Sequence, residues 1–345
     1  MAQQTNNGIN FFYPDNPCHV FNVAPVRAVG TLDQLQLTIS AGGTTYTVTY
    51  NVRNRITVDI SEYLQSLFAG LSMGQDIDYA DTVNVSELGK SVSITATALI
   101  GGTSVAQCSF TVFAVWGALM AGERLNVTRK VTYFRGYPFS VGCYAPKSGE
   151  FLLDDGQAVQ LATVQRGVYN IVIDSLDSDK ARLMFSYDDG DIVAMDTVAD
   201  IITEDVCDSR GIYLRWVDRH GIWNYWLFKQ GNPTRNVASD GLWHRNNLDS
   251  WVPIYHWQGA SGRRQSLTRN DVIPVCAPLV DSDTFDMLQD VTTSPYVDMY
   301  LGMDGGEPKW TAVTIEAGQY TKDISKQEQD FLMNIVLPEI PIQSL

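Results

Sequence analysis

The residues with most chemistry to offer lie between Asn232 and Asn270. There Trp243, Trp251, Tyr255, His256 and Trp257 are interleaved with Arg235, Arg245, Arg263, Arg264 and Arg269. Indoles present flat apolar faces that stack on sugar rings, and Trp, Tyr and Arg are enriched where proteins bind one another. Five neighbouring arginines are conspicuous in a chain of formal net charge -15. The set therefore suits a subunit interface or a glycan platform, and the plain alternative is a loop folded over its own sheet. A long connection inside a compact domain is usually functional, which places the interface first. With the aromatic side chains just upstream, the candidate interface or binding residues are Trp223, Tyr225, Trp243, Arg245, Trp251, Trp257, Arg263 and Arg264.

Catalytic chemistry has no comparable footing. His19, His220, His244 and His256 are scattered, and the last two lack a third metal ligand at a recognised spacing. No G-x-S-x-G elbow, H-E-x-x-H helix, P-loop or G-x-G-x-x-G turn occurs. Cys18, Cys108, Cys143, Cys207 and Cys276 are odd in number and far apart, which predicts reduced structural thiols. Asp154-Asp155-Gly156 and Asp188-Asp189-Gly190-Asp191 read as hairpin turns, because neither follows a calcium-loop pattern and Asp-Gly is a leading turn dipeptide. We therefore expect no catalytic residue, no metal and no cofactor. A hydrolase acting through one of the many carboxylate pairs is a rival without a motif behind it.

The elements that must position the aromatic and arginine side chains are strands. Residues 212 to 217 and 222 to 228 are β-branched and aromatic, and Asp218-Arg219-His220-Gly221 supplies a polar, glycine-ended reversal, so GIYLRWVDRHGIWNYWLFKQG predicts a hairpin apolar on both faces. Downstream, Asp281 to Thr284 offers N-caps for a helix bearing Phe285, Leu288 and Val291, followed by strands over 310 to 317 and 330 to 337. We expect the hairpin and these last strands to share one barrel-like sheet.

Upstream, Leu35, Leu37 and Ile39, then Tyr46, Val48 and Tyr50, then Val92, Ile94, Ala96 and Ala98 alternate as in a β-sandwich. Asp59 and Glu62 have capping-box spacing ahead of a short helix with Leu64, Leu67, Phe68 and Leu71. Short strands at 151 to 153, 159 to 164, 169 to 173 and 181 to 187 fill the middle. The expected fold is mainly β with a few short helices. It comprises a β-sandwich over 1–118, a β-rich middle or insertion region over 119–206, and a barrel-like region with the aromatic hairpin and an α-β-β pattern over 207–345.

A hydrophobic share of 45% with 18% charged residues belongs to an ordered globular chain. A pI near 4.6 argues against a phosphate-gripping surface, which requires clustered Lys and Arg. MAQQTNNGIN has neither a basic nor an apolar leader segment, which predicts folding in the cytoplasm, and residues 104 to 122 read as a buried strand rather than a membrane span.

The hairpin string, then SDGLWHRNN, GRRQSLTRN, VIPVCAPLVDSDTFDMLQDVTTSPYVDMY and QDFLMNIVLPEIPIQSL, together with VDISEYLQSLF and VWGALMAGE, resemble tail structural proteins of phages and prophages of Bacteroides and related bacteria. The resemblance runs through most of the chain. It implies a non-enzymatic virion component of the distal tail or baseplate: a homo-oligomeric ring, typically a hexamer, between the tail tube and the host-recognition apparatus. Its implied partners are copies of itself and the tube, hub and fibre proteins, with DNA as transient cargo and no membrane insertion. The alternative is a carbohydrate-binding receptor-recognition protein of the tail tip, with Trp223, Trp243, Trp251 and Trp257 on sugar rings.

Overall fold

The computed structural model describes residues 1–72, 74, 77–119, 128–176, 178–190, 192–206, 211–243 and 263–338, with backbone only at 240, 242, 243 and 263–266. Among them are many strands and two short helices, so the chain is mainly β.

The first part is a two-sheet sandwich. One sheet orders Ala2–Asn6, Ile9–Tyr13, Pro25–Val29 and Arg55–Asp59; the other orders Cys18–His19, Thr103–Val115, Gly89–Ile100, Gln34–Ala41 and Thr44–Asn51. Period-2 alternation turns Leu35, Leu37, Ile39, Val92 and Ile94 inward, where they meet Phe11, Val26 and Ala28 of the facing sheet. Helix Ser61–Ser66 adds Leu64 to this core. The capping box expected from Asp59 and Glu62 does not form in that register. Asp59 still ends a strand, where its carboxylate accepts Ala24 N at 2.9 Å and Ser61 N at 3.0 Å, and Ile60 precedes the helix without a side-chain cap.

The rest of the chain builds on a second, larger core running from Ile77 and Leu88 to Ile335. It is fed by three sheets. A five-stranded sheet orders Arg129–Phe134, Val193–Glu204, Lys180–Asp188, Gly149–Asp154 and Ala158–Val164. Its Asp-Gly reversals are hairpin turns, closed by Gly156 N on Asp154 Oδ1 at 3.2 Å and Gly190 N on Asp188 Oδ1 at 2.8 Å. A small sheet orders Ser140–Ala145, Gly167–Val172 and Val83–Val85, and its first two strands are buried at every position, as happens when both faces are covered.

The third sheet runs Glu307–Ala312, Val297–Asp304, Gly211–Val217, Trp223–Gln230, Arg263–Asp281, Glu328–Val336 and Thr314–Ile315, with Thr234–Trp243 paired on Arg263–Asp281. The aromatic hairpin and the last strands thus lie in one sheet. The segment expected as a single strand over 310 to 317 is split at Val313, whose N–H bonds Val297 O at 2.9 Å. Its two halves pair with strands at opposite ends of the sheet order, so one residue draws those ends together and curls the sheet into a half-barrel. Helix Ser282–Asp290 packs Phe285 and Leu288 into this core, and its N-cap Asp281 accepts Thr284 N at 2.8 Å.

The stretch read as a long loop over 232 to 270 is, in its described residues, a β-ribbon. Thr234 faces Val272 and the register continues to Trp243 opposite Arg263. Only the part of Arg263–Asp281 from Val272 onward pairs with Glu328–Val336, so the ribbon runs on beyond the body of the sheet. Residues 231 to 239 are exposed throughout.

Candidate functional site

The hairpin pairs Gly211–Val217 with Trp223–Gln230 in unbroken antiparallel register, from Gly211 opposite Lys229 to Val217 opposite Trp223. Its reversal is organised by Asp218. Oδ1 accepts His220 N at 2.9 Å and Ile222 N at 3.3 Å; Oδ2 accepts Asn224 Nδ2 at 2.8 Å and Arg129 Nη2 at 3.4 Å, and His220 Nδ1 stands 3.2 Å away. Burial alone would raise this carboxyl, but the hydrogen bond from His220 and the charge of Arg129 outweigh it and hold Asp218 below the usual carboxylate range. Gly221 has φ +74°, and a Cβ there would stand 2.4 Å from Trp116 O, so the turn fits closely against the segment leaving the sandwich. Ala118 N also bonds Arg219 O at 2.7 Å.

A second constellation centres on Arg215, buried in the middle of the hairpin. Its Nε lies 3.0 Å and its Nη2 2.9 Å from Asp298 Oδ2, and Nη1 lies 3.3 Å from Tyr79 Oη. The guanidinium sits 4.8 Å from the ring centre of Trp223 and 4.3 Å from that of Trp310, so two indoles hold one cation. Tyr79 Oη is 3.0 Å from Tyr225 Oη, which is 2.7 Å from Ser140 Oγ. Gly74 closes the cluster, since a Cβ there would meet Arg215 Nη2 at 2.6 Å. Burial pushes the Tyr79 and Tyr213 phenols well above their ordinary range, so they act here as neutral hydrogen-bonding and packing groups.

These positions correct the expectation for two candidates. Trp223 and Tyr225 are 2% and 3% exposed, covered by Ser140–Ala145 and by Arg215, and serve as core rather than as outward binding surfaces. Trp243, Arg263 and Arg264 contribute backbone to the ribbon, with side chains outside the described residues; Arg245, Trp251 and Trp257 lie wholly outside them. At the ribbon's base, Arg235 and Arg269 both bind the Asp271 carboxylate. Sequence reading missed Arg129, Tyr79, Asp298 and Trp310, the partners that make the hairpin cohere. Their only signal is residue type, because each comes from a distant segment.

Asp218, His220 and Asp290 are the one group among the described residues whose donor atoms could converge on a metal, all lying within 4.8 Å of one another. Arg129 already shares Asp218 Oδ2 and brings positive charge to the point a cation would need. Asp290 ends a helix, and burial first, then the Asp218 carboxylate, pushes it up to about 6 against the charges of Arg219 and His220. A carboxyl whose folded pKa is raised loses stability on ionising, so the fold weakens as pH rises through about 6 at this site. Asp290→Asn is therefore expected to be more stable than the parent at pH 8, with the gap narrowing below about pH 6 and closing only below about pH 4 in urea titrations. A shallow pocket lined by Arg129, Ser140, Trp223, Asn224, Tyr225 and Met287 has an empty volume of about 240 Å³ including its mouth, less than ligand sites usually offer.

Cys18, Cys108 and Cys143 are buried and unpaired in disulfides, and burial pushes Cys18 up to about 12. No helix among the described residues is long and apolar enough to cross a membrane.

Fold and constellation together define a mainly β protein in which charge and aromatic rings lock a hairpin into a large core. No protein-family model and no curated protein matches the chain.

Proposed function

We propose that this chain is a structural, non-enzymatic subunit of a phage tail. On this reading it is a distal tail or baseplate ring protein, built in the bacterial cytoplasm and assembled into the virion. It links the tail tube to the host-recognition apparatus and lines the passage for DNA. The observation that carries the reading is the β-ribbon of Thr234–Trp243 and Arg263–Asp281. It continues past the sheet, its residues 231 to 239 are exposed, and by register it places Arg263 and Arg264 far from the body of an acidic chain. A two-stranded ribbon standing alone is marginally stable in water, so an exposed one about 30 Å long gains most by lying on a partner. The tail-protein strings quoted above supply the class of assembly, and a net charge of -15 suits a channel that DNA must traverse without sticking. The glycan-recognition alternative is weakened because Trp223, one of its four stacking candidates, is core.

Electron microscopy of the purified protein, and of particles labelled against it, tests the reading. Rings with a central pore and label at the tail end are expected; monomers, with label on peripheral fibres, would favour glycan recognition instead. A variant with residues 238–268 replaced by Asn-Gly retains the Val237 to Arg269 pair as a tight hairpin. Because the described side chains it removes are exposed apart from the half-buried Leu267, we expect a nearly unchanged urea midpoint and loss of rings. Rings that persist in this variant would remove the ribbon from the account.

A further inference from the structure

The open edges of the sheets are not equally guarded against other chains. Arg55–Asp59, Arg129–Phe134 and Glu307–Ala312 each carry charges, and the last also has Pro308. Ala158–Val164 is uncharged but its register breaks opposite Phe151 and Leu152, a bulge of the kind that spoils further pairing. Thr44–Asn51, TTYTVTYN, has neither charge nor proline nor bulge. It pairs continuously with Gln34–Ala41 on one side and ends its sheet on the other.

The solvent face around this edge is also unusual. Three rows of side chains start at Thr45, Thr47 and Thr49 and cross all four long strands of the sheet, and every member is Ser, Thr or Gln. No charge interrupts these rows in a chain of net charge -15. Two copies of such a chain repel over most of their surfaces, and least across a neutral patch.

The edge is moreover complementary to itself. Antiparallel pairing centred on Thr47 sets Thr45 opposite Thr49 and Tyr46 opposite Val48; centring on Val48 sets Thr47 opposite Thr49 and Tyr46 opposite Tyr50. Both registers keep threonines together on the solvent face and set aromatic residues against aromatic or β-branched ones, which are favourable cross-strand pairs. We infer that Thr44–Asn51 is a docking strand for a second copy of this chain, joining two five-stranded sheets edge to edge about a two-fold axis. Such a contact closes on itself after two copies. It is separate from any ring made through the ribbon.

Single variants Thr47→Cys and Val48→Cys, each oxidised mildly beside the parent protein, test this. One of them should give a disulfide-linked dimer on a non-reducing gel well above the parent's background, because each residue faces its own copy in one of the two registers. Thr47→Lys should weaken self-association at least tenfold in sedimentation runs while leaving the thermal melt unchanged, since residue 47 is exposed. Absence of cross-linking in both cysteine variants, or unaltered association in Thr47→Lys, overturns the inference. Cross-linking through Thr163→Cys alone would place the contact on a different sheet edge and overturn it equally. Rings that survive Thr47→Lys without cross-links would count against this contact alone, whereas cross-linked pairs without rings would count against the tail-ring reading alone.

Discussion

Arg215→Ala is expected to cost the fold about 3–5 kcal/mol, the usual penalty for removing one member of a buried ion pair. The substitution leaves the Asp298 carboxylate, only 18% exposed, without its cation. It also empties the space between Trp223 and Trp310, against which Gly74 packs too closely for any side chain. Equilibrium urea denaturation should show the midpoint falling with little change in slope. Arg215→Met fills the space but strands Asp298, so it should recover only part of the loss. Adding Asp298→Leu should recover most of the remainder, because an apolar pair of similar volume can match a buried ionic one. A loss below about 1 kcal/mol for Arg215→Ala would mean that the pair behaves as a screened surface bridge, and the present account of the hairpin core would fall.

A loss of similar size, about 3–5 kcal/mol, is expected for Asp218→Ala, because Asp218 is the buried carboxylate partner of Arg129. The substitution also strips two backbone N–H groups and the Asn224 amide of their acceptor. The effect has a pH signature. The folded pKa of Asp218 lies below its ordinary value, so its contribution is fully present above the normal carboxylate range and is lost as pH falls through and below about 4. The stability gap between the parent and Asp218→Asn should therefore be widest near neutrality and close in acid. Asp290 acts with opposite sign near pH 6, so the two sites can be separated in one series of urea titrations. A gap that stays constant from pH 7 to pH 3 would show that Asp218 matters for its shape and not for its charge.

Alternation made much of this architecture legible. Leu35, Leu37 and Ile39 and the Val92 to Ala98 series point into the sandwich as period 2 requires, and the hairpin is apolar on both faces because Ser140–Ala145 covers one of them. The helix at Ser282–Asp290 begins where the Asp281 cap predicted. Illegibility had two physical sources. Short polar strands such as Ala2–Asn6, AQQTN, and the exposed residues 234 to 239 of the ribbon bury no apolar side chain and so carry no periodic signal. They exist because a neighbour supplies the other half of the ladder. The interior constellations were hidden for a different reason: Arg215 reads as a surface residue until Tyr79, Asp298 and Trp310 arrive from positions as far as 136 residues away, and Trp223 reads as a sticky surface for the same cause. Enrichment of tryptophan at binding sites is no guide where an arginine has been drawn inside to meet it.

The two hydrophobic cores close at very different moments of synthesis. Every member of the first lies between Ile9 and Ala114, so it can form while the remaining two-thirds of the chain is still being made. The second reaches from Ile77 to Ile335, and its half-barrel is drawn together only when the strand at Glu328–Val336 is available. A ribosome-bound chain therefore carries a finished sandwich ahead of a long, strand-rich segment whose core is still incomplete. That interval is when pausing or heat leaves unpaired strands exposed for longest, the condition in which incomplete chains aggregate.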